Sequence, residues 1–508
     1  MKRVACLLLM LAMLVPTVVL AEEPMELTII NTFYTEKEPP SDNPIIEKVE
    51  ELNNVSFDVT WVVSGDASTK FNTVMSSVEQ PMMYVISSGV TTNVNYLDMC
   101  RNGVFWDLTD YIQEYPVFRD ETTSPVALAA TAVDGRNYLF PLITPVSRLG
   151  LAYRADWIEA LNEKGYDLVV PTNIEEFKAM VEAFTVGDPD GNGVDDTIGF
   201  AYCDIRDEEL DYAGFNGICA MLGGPVHWGL TEDDTLMPYF FFDEYFETLD
   251  VFNWMYENGY MNTDFAINTN KHEPLSNNIA GSMFGSAMDV ATPTYDNLDN
   301  VVGEGNWELR AQQDFYTMEG ERVTSATITS GSLGGILFPK YSVKDEATLR
   351  SILDLLANMV DAEGETNKIM TIGIEGIHYT LEDGVYTQTT EQIERLAIDR
   401  ETWCTSMWPR RVLGIDYGQG YTYMEELTQK AIENDPYVVY DMSMGYVDAE
   451  TRSLQMQIST IISDARVKYI MGVIDKEGFI AERDRWLSEG GQQVIDNVNA
   501  AYAAAQTA

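Results

Sequence analysis

Between positions 188 and 196 the chain reads Asp-Pro-Asp-Gly-Asn-Gly-Val-Asp-Asp, an acidic or amide side chain at every second position ahead of a glycine at the sixth. A hard cation such as calcium takes about six to eight oxygens, and a loop with alternating Asp and Asn donors around a sharp glycine turn supplies them. The expected ligands are Asp188, Asp190, Asn192, the Val194 carbonyl and Asp196. In an EF-hand the twelfth position carries a bidentate glutamate; here it falls on Gly199, so the shell is expected to close through Asp196. The competing use of such residues is a solvated turn, and the regular spacing favours the ion. Such an ion supports a fold and names no activity.

The elements around the loop follow from periodicity and caps. Thr172 with Glu175 reads as a capping box opening a helix that runs to the loop. Upstream, strand patterns at 26–33, 56–63 and 84–87 alternate with helical patterns at 44–52 and 69–78. That alternation predicts an α/β lobe with a mainly parallel sheet. Ligands of open α/β sheets sit beyond the carboxyl ends of strands, which makes Tyr34 and Ser88 candidate contacts. A hairpin is expected over 133–141, strands at 149–153 and 331–339, and helices at 156–164 and 346–360. The last eighty residues or so read as mostly helical, with no internal repeat and no long low-complexity linker.

Composition narrows the function classes. The 508-residue chain carries 31 Lys+Arg against 81 Asp+Glu, a formal charge of -50, which excludes nucleic acid and anionic lipid as natural partners. With 45% hydrophobic residues the charge does not signal disorder. Lys2 and Arg3 precede an apolar run from Val4 to Leu20, which predicts a secretory leader cut after Ala21 and an exported protein. Cys6 lies before most of that run, so no lipid anchor is expected. Cys100, Cys203, Cys219 and Cys404 allow disulfides in an oxidising compartment, Cys203 and Cys219 being nearest in sequence. His227, His272 and His378 are scattered and read as packing residues.

Four segments together resemble the bacterial extracellular solute-binding proteins of family 1, in the branch that binds large oligosaccharides such as alginate fragments. They are Asp134-Gly-Arg-Asn-Tyr-Leu-Phe-Pro141; Tyr153 to Trp157 with Pro171 to Phe177; Asp188 to Gly199; and Gly373 to Tyr379 before Asp383-Gly384. A fifth is the ending from Trp486 to Tyr502. The resemblance implies a periplasmic-binding-protein-like type II α/β fold with two lobes, a hinge and a ligand cleft between them. It also implies a structural calcium in the second lobe and delivery of the solute to an ABC permease by a monomer. The corresponding division is a leader at 1–21, lobe 1 at 22–146 and 331–400, and lobe 2 at 147–330 with the calcium loop at 188–197. A cleft segment with the C-terminal helices then fills 401–508.

Sugar sites combine aromatic platforms with a few polar groups. Trp403 and Trp408, in the polar, Pro- and Arg-containing segment 401–411, and Trp228, expected in a loop after Gly223-Gly-Pro-Val-His227, are the first candidates; Tyr295, Tyr34 and Ser88 follow. Arg410 and Arg411 suit either a uronic acid or structural ion pairs. Two other readings compete. One is a binder of peptides or other solutes on the same fold. The other is a secreted glycoside hydrolase, which needs two facing carboxylates that a count of acidic residues cannot identify.

Overall fold

The computed structural model describes residues 23–33, 42–63, 66–87, 90, 94–122, 125–143, 146–203, 214–268, 270, 272–291, 293–325, 332–404 and 423–506. The leader, Tyr34, Ser88, Trp408, Arg410 and Arg411 lie outside the described residues.

In chain order the elements used below begin with β1 (Met25–Phe33), α1 (Pro44–Asn53), β2 (Val55–Val63), α2 (Ala67–Met75), β3 (Met83–Ser87) and β4 (Leu139–Ile143). They continue with β5 (Leu149–Arg154), α3 (Ala155–Glu163), α4 (Ile174–Val186), β6 (Trp228–Leu230), β7 (Leu236–Pro238), α5 (Asp243–Glu257), β8 (Ser282–Ser286) and β9 (Leu309–Gln312). Then come β10 (Phe315–Tyr316), β11 (Arg322–Ser325), β12 (Ser332–Leu337), α6 (Glu346–Val360), β13 (Thr380–Glu382), β14 (Val385–Thr387) and α7 (Thr390–Cys404). The chain ends with α8 (Tyr423–Asn434), β15 (Val438–Val439), α9 (Ala449–Ile470), α10 (Lys476–Trp486) and α11 (Gln492–Gln506).

Two lobes result. The first is built on a five-stranded sheet of order β2-β1-β3-β12-β4. Strands β1, β2 and β3 are parallel, and β12, which returns from the second lobe, runs antiparallel to β3 and β4. Both faces of β1 are buried: Leu27 and Ile29 pack with α1 and α6, Ile30 with α2. Elements cover both faces, as a parallel sheet requires, and the polar Asn31 and Thr32 are buried beside the apolar residues of the strand. Each of those apolar side chains contributes about 1.5–3 kcal/mol on burial.

The second lobe is centred on β8-β5-β9, in which both neighbours are antiparallel to β5. All six β5 residues are buried. Its aromatic core joins Trp157 and Phe184, edge to face at 5.4 Å, to α5 and the three C-terminal helices.

Three local expectations change. The helix at 174–186 is capped by Asn173, whose side chain accepts from the Glu175 and Glu176 amides. Glu176, not Glu175, reaches back, accepting from the Thr172 amide and hydroxyl at 2.8 Å each. Partial burial would raise the Glu176 carboxyl, but those Thr172 bonds and the cap hold it below its usual range. The 133–141 segment turns at Asp134 and Gly135, both at positive φ, yet closes with one bridge, Val133 to Arg136. Strand β4 then pairs with β12 instead of folding back. Cys203 and Cys219 are buried thiols donating to the Asn268 and Pro225 carbonyls, so no bridge joins this pair.

Candidate functional site

Strand directions define one edge on each lobe. In the first, β1, β2, β3 and β4 end at Phe33, Val63, Ser87 and Ile143, while β12 begins at Ser332 opposite Ile143. In the second, Leu149 begins β5 opposite Ser286, the end of β8, and Gln312 ends β9 opposite Leu151. The chain passes between the lobes from Ile143 to Leu149, from Ser325 to Ser332 and again between α7 and α8, and the two edges lie at the first two of these crossings. This is where an open α/β sheet accepts a ligand. Tyr34 and Ser88 come one residue after the described ends of β1 and β3. A crevice of about 10 Å³ lined by Leu149, Phe284, Phe315 and Val323 is room for one water, not a sugar.

The second-lobe edge is polar. Asp314 binds Lys430 at 2.9 Å and Arg322, and although partial burial opposes it, these two cations hold its carboxyl low. Arg322 also donates to the Asn434 side chain and lies 4.6 Å over the Tyr437 ring. Asn434 donates to the Gln313 carbonyl at 2.7 Å. Ser147, fully buried in the first crossing, donates to Asp435 from its amide at 3.1 Å and its hydroxyl at 3.0 Å. None of these was selected from sequence. Asn434-Asp435-Pro436 has residue types that end a helix, but nothing in that window points to a partner 288 positions away.

The aromatic candidates are scattered. Trp228 was expected in an open loop; it starts β6, pairs with Pro238 of β7, and is 6% exposed within the second-lobe core. Tyr295 is 2% exposed, hydrogen-bonded to His272 at 2.9 Å, and burial pushes its phenol far up. Neither ring offers an open face here, because the apolar neighbours that make the core also cover them. Trp403 belongs to the last turn of α7. Trp228 and Tyr295 belong to separate parts of the core.

The Asp188 loop is closed by its own hydrogen bonds. Asp188 and the glycines Gly191 and Gly193 have positive φ. Asp188 Oδ1 accepts from the Gly193 amide at 3.1 Å, and the Asn192 side-chain nitrogen links Asp190 at 2.9 Å to Asp196 at 3.2 Å. Partial burial, with the charges of Asp196 and Asp188, raises the Asp190 carboxyl. The Gly193 amide and Lys164 lower that of Asp188. Among the described residues no three His, Cys, Asp or Glu side chains converge as a metal set. The donor chemistry nevertheless fits a hard cation: crowded carboxylates with an amide between them. Gly199, at the twelfth position, has no room for a side chain, since a Cβ there would stand 2.1 Å from the Val181 carbonyl oxygen.

No family model matches the chain. A curated relative does: YtcQ, a polygalacturonan/rhamnogalacturonan-binding protein of Bacillus subtilis (strain 168), is 30% identical over 479 residues, 92% of this chain and 89% of its own. The chain belongs to the bacterial extracellular solute-binding proteins. Two solved solute-binding structures share the fold. Alginate-binding AlgQ2 without calcium ion has TM-score 0.64 and 16% identity, over 95% of this chain and 99% of its own. An EF-hand mutant of FusA, a Streptococcus pneumoniae ABC-transporter substrate-binding protein in complex with fructo-nystose, has TM-score 0.65 and 17% identity over 95% and 99%. The two lobes are thus those of a solute-binding fold. Among the described residues no helix is long and apolar enough to cross a membrane.

Proposed function

We propose that this exported protein binds an oligosaccharide between the two sheet edges and delivers it to an ABC permease, without chemistry of its own. The end-to-end likeness to a polysaccharide-binding relative carries this reading. Lobe 1 comprises 22–146 and 331–400 and lobe 2 comprises 147–330, with the C-terminal helices docked on lobe 2. Tyr34 and Ser88 follow strand ends at the first-lobe edge, and Trp403 and Trp408 lie on the passage from α7 to α8; these four are the proposed contacts. The burial of Trp228 and Tyr295 supports a packing role for both in place of the expected contact.

Binding is tested by calorimetry with oligogalacturonides, the fructo-oligosaccharide kestose and oligopeptides. A sugar should bind intact and lower the radius of gyration in solution scattering, because closure brings two rigid bodies together. Peptide binding, cleavage of the sugar, or an unchanged radius at saturation would each count against the reading.

Calcium belongs to the same proposal, held by Asp188, Asp190, Asn192, the Val194 carbonyl and Asp196 as support for the second lobe. It would neutralise carboxylates that repel one another. Since it binds only the folded chain, removing it with a chelator should lower the melting temperature. Asp190→Ala should abolish that response and leave sugar affinity in place. Protons compete for the raised Asp190 carboxyl, so calcium affinity should fall as pH drops through the carboxylate range. A chelator that changes nothing in metal-loaded protein would reduce the loop to a turn.

A further inference from the structure

The segment Ala431–Val439 touches the second-lobe ends of two of the three crossings, those at Ser147 and Ser325. Ser147, two residues before β5, donates to Asp435 Oδ1 from its amide, and its one hydroxyl hydrogen is shared between Asp435 Oδ1 and the Ala431 carbonyl. Burial holds the Asp435 carboxyl above its usual range, with the Ser147 bonds and the Val146 amide opposing it. At the other crossing, Thr324 and Ser325 of β11 pair with Val438 and Val439 of β15 just before the chain leaves for β12. The segment is itself fastened to the second lobe along the length of α8. Tyr423 accepts from the Ala311 amide at 2.8 Å, Leu427 and Ala431 pack on Ala287 and Met288, and Lys430 binds Asp314.

We infer that Ala431–Val439 is the hinge clamp of this protein, with Ser147 and Asp435 as positioning residues that fix where the lobes pivot. The inference rests on the proposed ligand-driven closure. A single turn holds two crossings that are far apart in sequence, so neither can move independently of the other on the second-lobe side. Coupling of this kind changes affinity without touching the ligand, ordinarily by about 5- to 150-fold.

The test uses the full chain in four forms: wild type, Ser147→Ala, Asp435→Ala and Asp435→Asn. Asparagine keeps an oxygen that can accept both Ser147 bonds, so it should behave as wild type. In ligand-free protein, hydrogen exchange should show the amides of Ser147, Thr324, Ser325 and Val439 losing protection together in both alanine variants. Exchange that rises only at Ser147, leaving the second crossing protected, overturns the clamp. With whichever of kestose or an oligogalacturonide lowers the wild-type radius, the alanine variants should bind about ten-fold more weakly and close less, with Asp435→Asn restored. Equal affinity and equal closure in all four forms overturn the positioning role. If neither sugar closes the wild type, the functional reading fails, while the exchange result still decides the clamp.

Discussion

Replacing Gly199 with glutamate, the change that completes an EF-hand on paper, is expected to unfold the second lobe rather than tighten an ion. The first atom of any side chain there would lie 2.1 Å from the Val181 carbonyl oxygen and 2.6 Å from its Cα. Those are helix backbone atoms, which cannot swing aside as a side-chain tip can. The segment is also held from the other side: Gly199 accepts from the Ser282 hydroxyl at 2.6 Å, and its amide donates to Thr185 at 2.9 Å. Ordinary overpacking costs about 1–3 kcal/mol; a backbone clash fixed on both sides should exceed about 3 kcal/mol, a large share of the roughly 5–15 kcal/mol that keeps a protein folded. Because Cβ alone makes the contact, Gly199→Ala should already show most of the loss in a denaturant titration. An alanine variant melting with wild type would sink the argument. The spacing of acidic residues was legible in the sequence; that the twelfth position must stay bare was not, since the obstacle is a helix turn eighteen residues upstream.

The same division runs through the rest of the molecule. Elements set by local periodicity came through in the chain itself: α6 spans Glu346–Val360 as expected, because Leu349, Ile352, Leu353, Leu356 and Val360 fall on one buried stripe. The first-lobe strands were legible for the same reason. Where two local signals compete, position alone could not choose. Thr172 and Asn173 are both good caps, and Asn173 takes the place because Glu176 is spaced to bond Thr172 behind it. Trp228 looked exposed because glycine and proline precede it, yet the strand pair β6 and β7 turns it into a core of rings drawn from 215 to 486. The edge cluster of Ser147, Asp314, Arg322 and Asp435 was hidden altogether, since its bonds join residues more than a hundred positions apart except for Arg322 with Asp314. A fold's local units are written in short windows; a cleft and its hinge are assembled from several.

Removing the Asp399 carboxylate should be the most damaging change in the first lobe. Asp399 and His378 are both fully buried, with His378 Nε2 3.0 Å from Asp399 Oδ2. The Ile374 amide donates to His378 Nδ1 at 2.9 Å, so Nδ1 is the acceptor and Nε2 carries the hydrogen given to Asp399. Arg395 donates to the same carboxylate oxygen at 2.5 Å, one turn earlier on α7. The Asp399 carbonyl accepts from Asn43 at 2.7 Å, and Asn43 caps α1, so one residue joins α7, the turn before β13 and the start of α1. The ring has nowhere else to go, because a Cβ on Gly373 would fall 2.5 Å from it. Asp399→Ala strands a buried imidazole N–H, while Arg395, about half exposed, falls back on water; the loss is about 1–3 kcal/mol for the orphaned donor, with the cavity left by the side chain adding to it. Asp399→Asn keeps an acceptor for His378 and should lose less than half as much. Two lobes need not melt together, so calorimetry should show one transition moving while the calcium-dependent one stays. If the alanine variant leaves every transition in place, the network is packing without energetic weight. If both transitions fall equally, the lobes unfold as one unit, and the separate treatment of the first lobe fails with it.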